Sequence, residues 1–250
     1  MAVLYVASEA AELKPFAKLL TGLRKLKWPI DYAWEGIWED RRIMLAANGA
    51  GPQLAAQAVE VAIRAVTAAE LSSSKLDFVF SVGYCGALSA DLREGQIIVG
   101  TEVFDLATQE RFPCVPVTAE RDFQSGMIVS QNRIAIGAVE KATLREGGAI
   151  AVDMEASGVA ARAIRAGLPF SCIKVITDRA DESFGFDLNK MRTTEGRIAR
   201  GKIGTYAISH PRLIPELMQL RRRVKDAAAI LGEFLVSCRV NSEPTVSRTE

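Results

Sequence analysis

The stretch that most constrains this chain is residues 149–181, A-I-A-V-D-M-E-A-S-G-V-A-A-R-A-I-R-A-G-L-P-F-S-C-I-K-V-I-T-D-R-A-D. Ala149–Val152 is a short apolar run, after which Asp153 and Glu155 flank Met154 where the chain turns into a helix. Ala156, Val159, Ala160, Ala163 and Ile164 recur at helical spacing, and Gly167 and Pro169 stop the helix. Ser171–Ile176 is apolar except for Ser171 and Lys174, as expected of a strand buried on both faces; Thr177, Asp178 and Asp181 follow at its carboxyl end. Ligands of open α/β sheets bind at that end of the strands. Two strands that release carboxylates at one sheet edge are therefore the main functional signal.

Composition narrows the setting. The 250 residues contain no linker, so the chain reads as one domain over 1–240 with a disordered polar tail at 241–250. A net charge of +1 argues against a general nucleic-acid surface. Cysteines 85, 114, 172 and 238 are scattered without CxxC spacing, the pattern of reduced thiols in a cytoplasmic protein. The amino terminus lacks a basic leader and meets Glu9 early, unlike a signal peptide, and no apolar run reaches the ~18 residues of a transmembrane segment. The expectation is a soluble protein. A lone histidine, His210, excludes metal chemistry that needs several, and neither metal nor cofactor is expected.

Taken in order, Val3–Ala7 is a buried strand, and Ser8 caps a helix expected from Glu9 to about Leu26. Glu9 and Glu12 in its first turn complement the helix dipole, or else present a carboxylate above the sheet edge. Residues 29–47 read as a hairpin, Ile30–Trp34 and Ile43–Ala47, turning at Glu35-Gly36. N-G-A-G-P at 48–52 leads into an Ala-rich helix, Gln53–Ala69; as a tight turn it is unremarkable, and it lacks the full dinucleotide fingerprint. After a loop at Ser72–Lys75, strand Phe78–Val82 is expected to run into a loop at Gly83–Leu88, and a strand follows at Gln96–Val103. Residues 104–125 have no clean period and form an irregular excursion. Strand Met127–Ser130, a helix at Ile134–Leu144, a mobile polar segment over 181–197 and a terminal helix, Pro215–Val236, complete the chain. Leu213, Leu217, Leu220 and Val224 supply that helix with a core-facing stripe, and Arg221, Arg222, Arg223 and Lys225 with a solvated basic face.

Two chemistries compete for these residues. Gly83-Tyr-Cys85-Gly-Ala after a strand looks like a nucleophile elbow with Cys85 as nucleophile, followed by Asp178 and His210 in α/β-hydrolase order. Ala87 stands where the elbow needs a second glycine, and no helix follows. The carboxylates support a different reaction, N-glycosidic cleavage of a purine nucleoside. It needs an acid at N7 of the base, an acceptor for the ribose hydroxyls, and a base for water or a cationic cradle for phosphate. Asp178, Glu155 and Glu12 can fill these roles.

The chain also resembles a known family. V-D-M-E at 152–155, G-L-P-F, and V-I-T-D-R-A-D at 175–181 are similar to the purine nucleoside/uridine phosphorylase superfamily, nearest in active site to its methylthioadenosine/S-adenosylhomocysteine nucleosidase branch. V-A-S-E-A-A-E-L at the start, N-G-A-G-P, S-V-G-Y-C-G-A-L and L-R-E-G-Q-I-I-V extend the likeness to about residue 182. The resemblance implies a three-layer αβα domain with a central mixed β-sheet, and a homodimer. It also implies that Asp178 protonates the base beside Thr177, and that Met154 and Glu155 line the ribose. Glu12 activates water, the loop containing Gly83 and Tyr84 borders the substrate, and Ile134 stands where the nucleosidases stack an aromatic ring on the base. Asp153 and Asp181 act as supports.

Departures from the pattern bear on the co-substrate. The phosphorylases carry an Arg and a hydroxyl residue where this chain has Ser81 and Tyr84, which favours water over phosphate. The tail, with F-D-L-N-K-M-R-T-T-E-G-R and H-P-R-L-I-P-E-L, is similar to that of hopanoid-associated phosphorylases, which release adenine from a lipid-linked adenosine. The expected activity is hydrolysis of a 5′-substituted adenosine, methylthioadenosine-like or lipid-linked. Phosphorolysis, the Cys85 hydrolase and a non-catalytic nucleoside-binding protein stand as alternatives.

Overall fold

In the computed structural model of the protein, which describes residues 1–68, 75–185, 187–191, 193, 206 and 209–240, the first strand sets the layering. β1 (Ala2–Ala7) is buried along its whole length, and its side chains alternate between two cores. Ala2, Leu4 and Val6 join one, and Val3, Tyr5 and Ala7 the other. A strand covered on both faces needs apolar residues at every position, which is what Ala2–Ala7 supplies.

The other strands are β2 (Thr21–Lys25), β3 (Tyr32–Trp38), β4 (Arg41–Ala47), β5 (Phe78–Ala87), β6 (Ile97–Asp105), β7 (Arg111–Pro113), β8 (Val117–Thr118), β9 (Gln124–Ser130), β10 (Ala151–Asp153), β11 (Phe170–Asp178) and β12 (Arg239–Val240). Ten of the twelve strands among the described residues, β1 included, form one mixed sheet in the order β10-β9-β6-β11-β5-β1-β4-β3-β2, with β7 on β6, while β8 and β12 pair separately. β5 also pairs antiparallel with β10 through Gly86↔Val152, so β10, β9, β6, β11 and β5 close on themselves. β1, β5 and β11 are parallel, so their carboxyl ends lie together.

Helices α2 (Pro52–Ala68) and α4 (Ala156–Arg165) cover one face, packing Ala55, Ala58, Val59, Val159, Ala160 and Ala163 into the first core. α1 (Ala10–Ala17) and α5 (Ile214–Ser237) cover the other with Leu13, Phe16, Leu231 and Phe234. A shorter helix, α3 (Ala138–Arg145), lies beyond the end of β11. The expected three-layer αβα architecture with a mixed sheet is the one observed. Among the described residues no helix is long and apolar enough to cross a membrane.

Several boundaries differ from the sequence reading. α1 ends at Ala17 rather than near Leu26: Pro15 removes a backbone donor, and Thr21–Lys25 pairs with β3 as an exposed sheet edge instead. The hairpin turns at Glu39-Asp40, because Glu35 and Gly36 are paired within β3 opposite Met44 and Ile43. Gly83–Ala87 is not a loop; β11 and β10 supply partners that extend β5 to Ala87. The stripe expected from Leu213 to Val224 is only half-buried, and α5 docks through Ala227, Ala228, Leu231, Gly232, Phe234 and Leu235. The expected loop at 72–74, part of the polar segment (186, 192 and 194–197) and the tail at 241–250 lie outside the described residues.

Candidate active site

The parallel ends of β1, β5 and β11, together with the end of β10, bring two groups of ionisable side chains to one edge. The first surrounds Glu12 and Glu155. Glu12 stands in the first turn of α1, directly after β1, and is 2% exposed. Its Oε1 accepts hydrogen bonds from the Glu9 backbone N–H at 3.0 Å and from the Ser8 hydroxyl. Glu12 therefore does cap its helix, and it also faces the sheet edge: its Oε2 lies against Gly83 of β5. Glu155 precedes α4 and is 7% exposed. Its Oε1 accepts the Gly51 N–H at 3.1 Å, at the amino end of α2, so the N-G-A-G-P turn presents a backbone donor to a carboxylate.

Lys174 holds this group together. The single cation in β11, it is fully buried, with Nζ 2.7 Å from Asp153 Oδ2 and 3.3 Å from the Val82 carbonyl. Asp153 Oδ2 also accepts the N–H groups of Glu155 (3.2 Å) and Ala156 (2.9 Å), so it caps α4 and orients Glu155, the supporting role expected of it. Burial pushes the Glu12 carboxyl up to about 8, and the neighbouring Glu155 charge adds to this. Burial likewise raises Glu155 to about 7, opposed by Lys174. The balance holds both carboxyls above the usual carboxylate range.

The second group surrounds Asp178, the last residue of β11 and 7% exposed. The Thr177 hydroxyl lies 2.9 Å from its Oδ1 and 3.3 Å from the Cys85 carbonyl, and its single proton goes to the nearer acceptor, Oδ1. Lys141 of α3, wholly buried, donates to Oδ2 at 2.5 Å. Burial raises the Asp178 carboxyl, and Lys141 and Thr177 oppose the rise. Sequence reading singled out no role for Lys141; a lysine in a short amphipathic helix carries no local signal of what it will meet 37 residues later.

Of the remaining predicted residues, Met154 is half-buried between Asp153 and Glu155. Tyr84 is half-buried, and its hydroxyl donates to the Val224 carbonyl of α5 at 2.9 Å. Ile134 is half-buried, its backbone held by Asn189 through N–H···Oδ1 (2.8 Å) and Nδ2–H···O (3.0 Å) bonds. Asp181 is exposed and pairs with Arg179 at 2.5 Å, outside both groups. The Cys85 alternative fails on chemistry. Burial pushes its thiol well above the usual range, and its segment is strand rather than elbow. His210 is exposed, its ring stacked on Tyr206 at 4.1 Å. The basic run also needs revising, since Arg223 pairs with Glu94 (3.0 Å) and Glu182 (2.5 Å).

Comparisons with known proteins agree with this geometry. A family model described as "Phosphorylase superfamily" matches residues 117–204, which include Asp153–Glu155 and Thr177-Asp178. The 5′-methylthioadenosine/S-adenosylhomocysteine nucleosidase of Haemophilus ducreyi (strain 35000HP / ATCC 700724) is 25% identical over 204 residues, covering 71% of this chain and 84% of that protein. Among solved structures, the S-adenosylhomocysteine nucleosidase of Streptococcus pyogenes, in complex with 5-methylthiotubericidin, superposes with a TM-score of 0.70 at 15% identity over 95% of both chains. The futalosine hydrolase of Helicobacter pylori strain 26695 gives 0.69 at 16% identity over 95% of this chain and 96% of that one. That family model spans the two acidic strand ends, and the fold is shared with these solved structures over nearly the whole chain, so the chain is similar to the phosphorylase superfamily in fold and in the segment that carries Glu155 and Asp178.

Proposed function

We propose that this protein hydrolyses the N-glycosidic bond of a 5′-substituted adenosine and releases adenine. The observation that carries the reading is the convergence of three buried carboxyls, Glu12, Glu155 and Asp178, on one sheet edge, each held by a different partner. Asp178 gives its proton to N7 as the glycosidic bond breaks, so the base leaves neutral. Glu155 accepts hydrogen bonds from the ribose hydroxyls, and its negative charge favours the oxocarbenium-like transition state. Glu12 takes a proton from water as the water oxygen attacks C1′. A carboxyl raised to about 8 suits this task, being ionised in a useful fraction near neutral pH while still holding a proton well.

Water rather than phosphate is supported by β5. Ser81 stands where the phosphorylases carry an Arg and brings no positive charge, and the Tyr84 hydroxyl already donates to the Val224 carbonyl. The relatives named as nucleosidase and hydrolase point the same way. Ile134 leaves the base an aliphatic neighbour instead of an aromatic one. Gly83 and Met154 border the ribose, and Thr177 steadies Asp178. The nature of the 5′ group, including a lipid-linked one, falls to assay.

The same reading carries a homodimer. Phe104, Met127, Val129 and Leu144 line an apolar groove of about 300 Å³ beside the exposed Leu106, a face suited to a second copy. Four free cysteines accord with a cytoplasmic setting. The deciding experiment is adenine release from methylthioadenosine, S-adenosylhomocysteine and adenosine, with and without phosphate. Release without phosphate is expected. Strict phosphate dependence would replace hydrolysis by phosphorolysis, and tight binding without turnover would leave a nucleoside-binding protein.

A further inference from the structure

We infer that Lys141 is a positioning residue that acts on the reaction through Asp178, its ammonium group holding the carboxylate left behind when Asp178 gives up its proton. The inference rests on the glycosidic-cleavage reading above and adds a member to that site. Lys141 reaches the acid from α3, an element outside the acidic strand ends that define the site. Its side chain is fully buried, and Nζ has three oxygen acceptors: Asp178 Oδ2 at 2.5 Å, the Arg179 carbonyl at 2.6 Å and the Glu182 carbonyl at 3.4 Å. An ammonium group has three N–H donors, so its bonding is complete without substrate. The Phe184 ring lies 5.9 Å from Nζ and helps close the space.

The two oxygens of Asp178 are thus distinguished. Oδ1 receives the Thr177 hydroxyl, and Oδ2 receives the cation. The other ionisable groups facing Asp178 are Glu182, whose carboxylate is paired with Arg223 of α5 at 2.5 Å, and the buried Cys85 thiol of β5. Lys141 is the one cation in direct contact with it among the described residues. In the proton-transfer step the Asp178 O–H bond breaks and the base N7–H bond forms, while the electron pair stays on the carboxylate. Lys141 keeps its three protons throughout. It makes Asp178 a stronger acid by stabilising its ionised form, as an opposite charge in contact does.

The test separates charge from packing. In Lys141→Met, kcat for adenine release from methylthioadenosine should fall roughly 10- to 100-fold, part of the range for a general acid. The alkaline limb of kcat/KM should move upward by about one unit or more, because the acid loses its cation. A 4-nitrophenyl riboside, whose leaving group departs without protonation, should lose less than about threefold, since it needs no general acid. Lys141→Gln, which can still bond the Arg179 carbonyl but carries no charge, should behave like Lys141→Met; it carries the test alone if the methionine variant does not fold. Adding Lys141→Met to Asp178→Asn should slow the enzyme no further. Equal losses on both substrates, an unmoved alkaline limb, or recovery by Lys141→Gln would overturn the inference and leave Lys141 a clamp on the 178–182 turn. Failure of the parent protein to release base from either substrate would instead remove the glycosidic-cleavage reading.

Discussion

The carboxylate of Glu12 occupies the space that a side chain on Gly83 would need. Gly83 has φ +131, a conformation that L side chains rarely adopt, and a Cβ there would overlap Glu12 Oε2. Glycine at this point lets β5 pass directly beneath the acid. Gly83→Ala should therefore lower activity by roughly 100-fold, the scale of an ångström-level displacement of a catalytic group. Backbone strain should also remove about 1–3 kcal/mol of stability. Steady-state kinetics and urea denaturation check the two effects, and a fully active, equally stable variant would contradict this contact.

Glu12 also predicts a pH dependence of stability. Its carboxyl rises from 4.5 to about 8 on folding, mainly through burial, so the folded state holds a proton that the unfolded chain releases. Stability then falls as pH rises between about 4.5 and 8 and levels off above. Glu12→Gln removes this loss. Its advantage over the parent should be absent near pH 4.5 and should grow to the order of a few kcal/mol by pH 8.5, taking about 1.4 kcal/mol per pH unit as an upper scale. Denaturant melts at the two pH values measure it.

Lys174 and Asp153 form an ion pair with neither side chain exposed. Removing one partner strands the other's charge in the core, so Lys174→Met should destabilise the protein by about 3–5 kcal/mol. The loss should also appear in the kinetics. Lys174 lowers the Glu155 carboxyl, and without it the acidic limb of kcat/KM should move to higher pH. A Lys174→Met/Asp153→Leu double variant should recover part of the stability without the activity, because Asp153 also caps α4 beneath Glu155.

Gly158 allows α4 to meet the start of α2. A Cβ there would overlap the Pro52 carbonyl, which is backbone and cannot yield as a side chain can. Gly158→Ala should push the two helices apart at a cost of about 1–3 kcal/mol, typical of overpacking. The Gly51 N–H that holds Glu155 would move with α2. A lower melting temperature together with a raised KM is expected if Glu155 holds the ribose, as proposed above.

How much of this was legible in advance varies by element. β1 and β11 were visible because strands covered on both faces must be apolar throughout, and α2 and α4 because their small residues recur at helical period. Asp178 and Glu155 could be singled out because each stands at the end of an apolar strand, whereas Glu12, in the first turn of α1, was separated from a capping or dipole role only by the family resemblance. Boundaries that depend on partners were not visible. β5 continues through Gly83–Ala87 because β10 and β11 bond to it there, and Thr21–Lys25 is a strand because β3 lies alongside. Neither partner is adjacent in the chain.

The site divides along the same line. Lys174 could be noticed in the sequence as a cation in an apolar strand, although its pairing with Asp153 could not. Lys141 is an unremarkable helical lysine until α3 packs behind Asp178. Tyr84 looks like a missing phosphate ligand, and the engagement of its hydroxyl by Val224 becomes apparent only when α5 is in place.

By itself, then, the sequence determined which residue types stand at the strand ends, since local pattern dictates strand, turn and helix from 149 to 181. Only the tertiary structure decided their protonation and partners. Burial and nearby charge set the proton affinity of Glu12, Glu155 and Asp178, and both arise from segments brought together across the sheet rather than from neighbours in the chain.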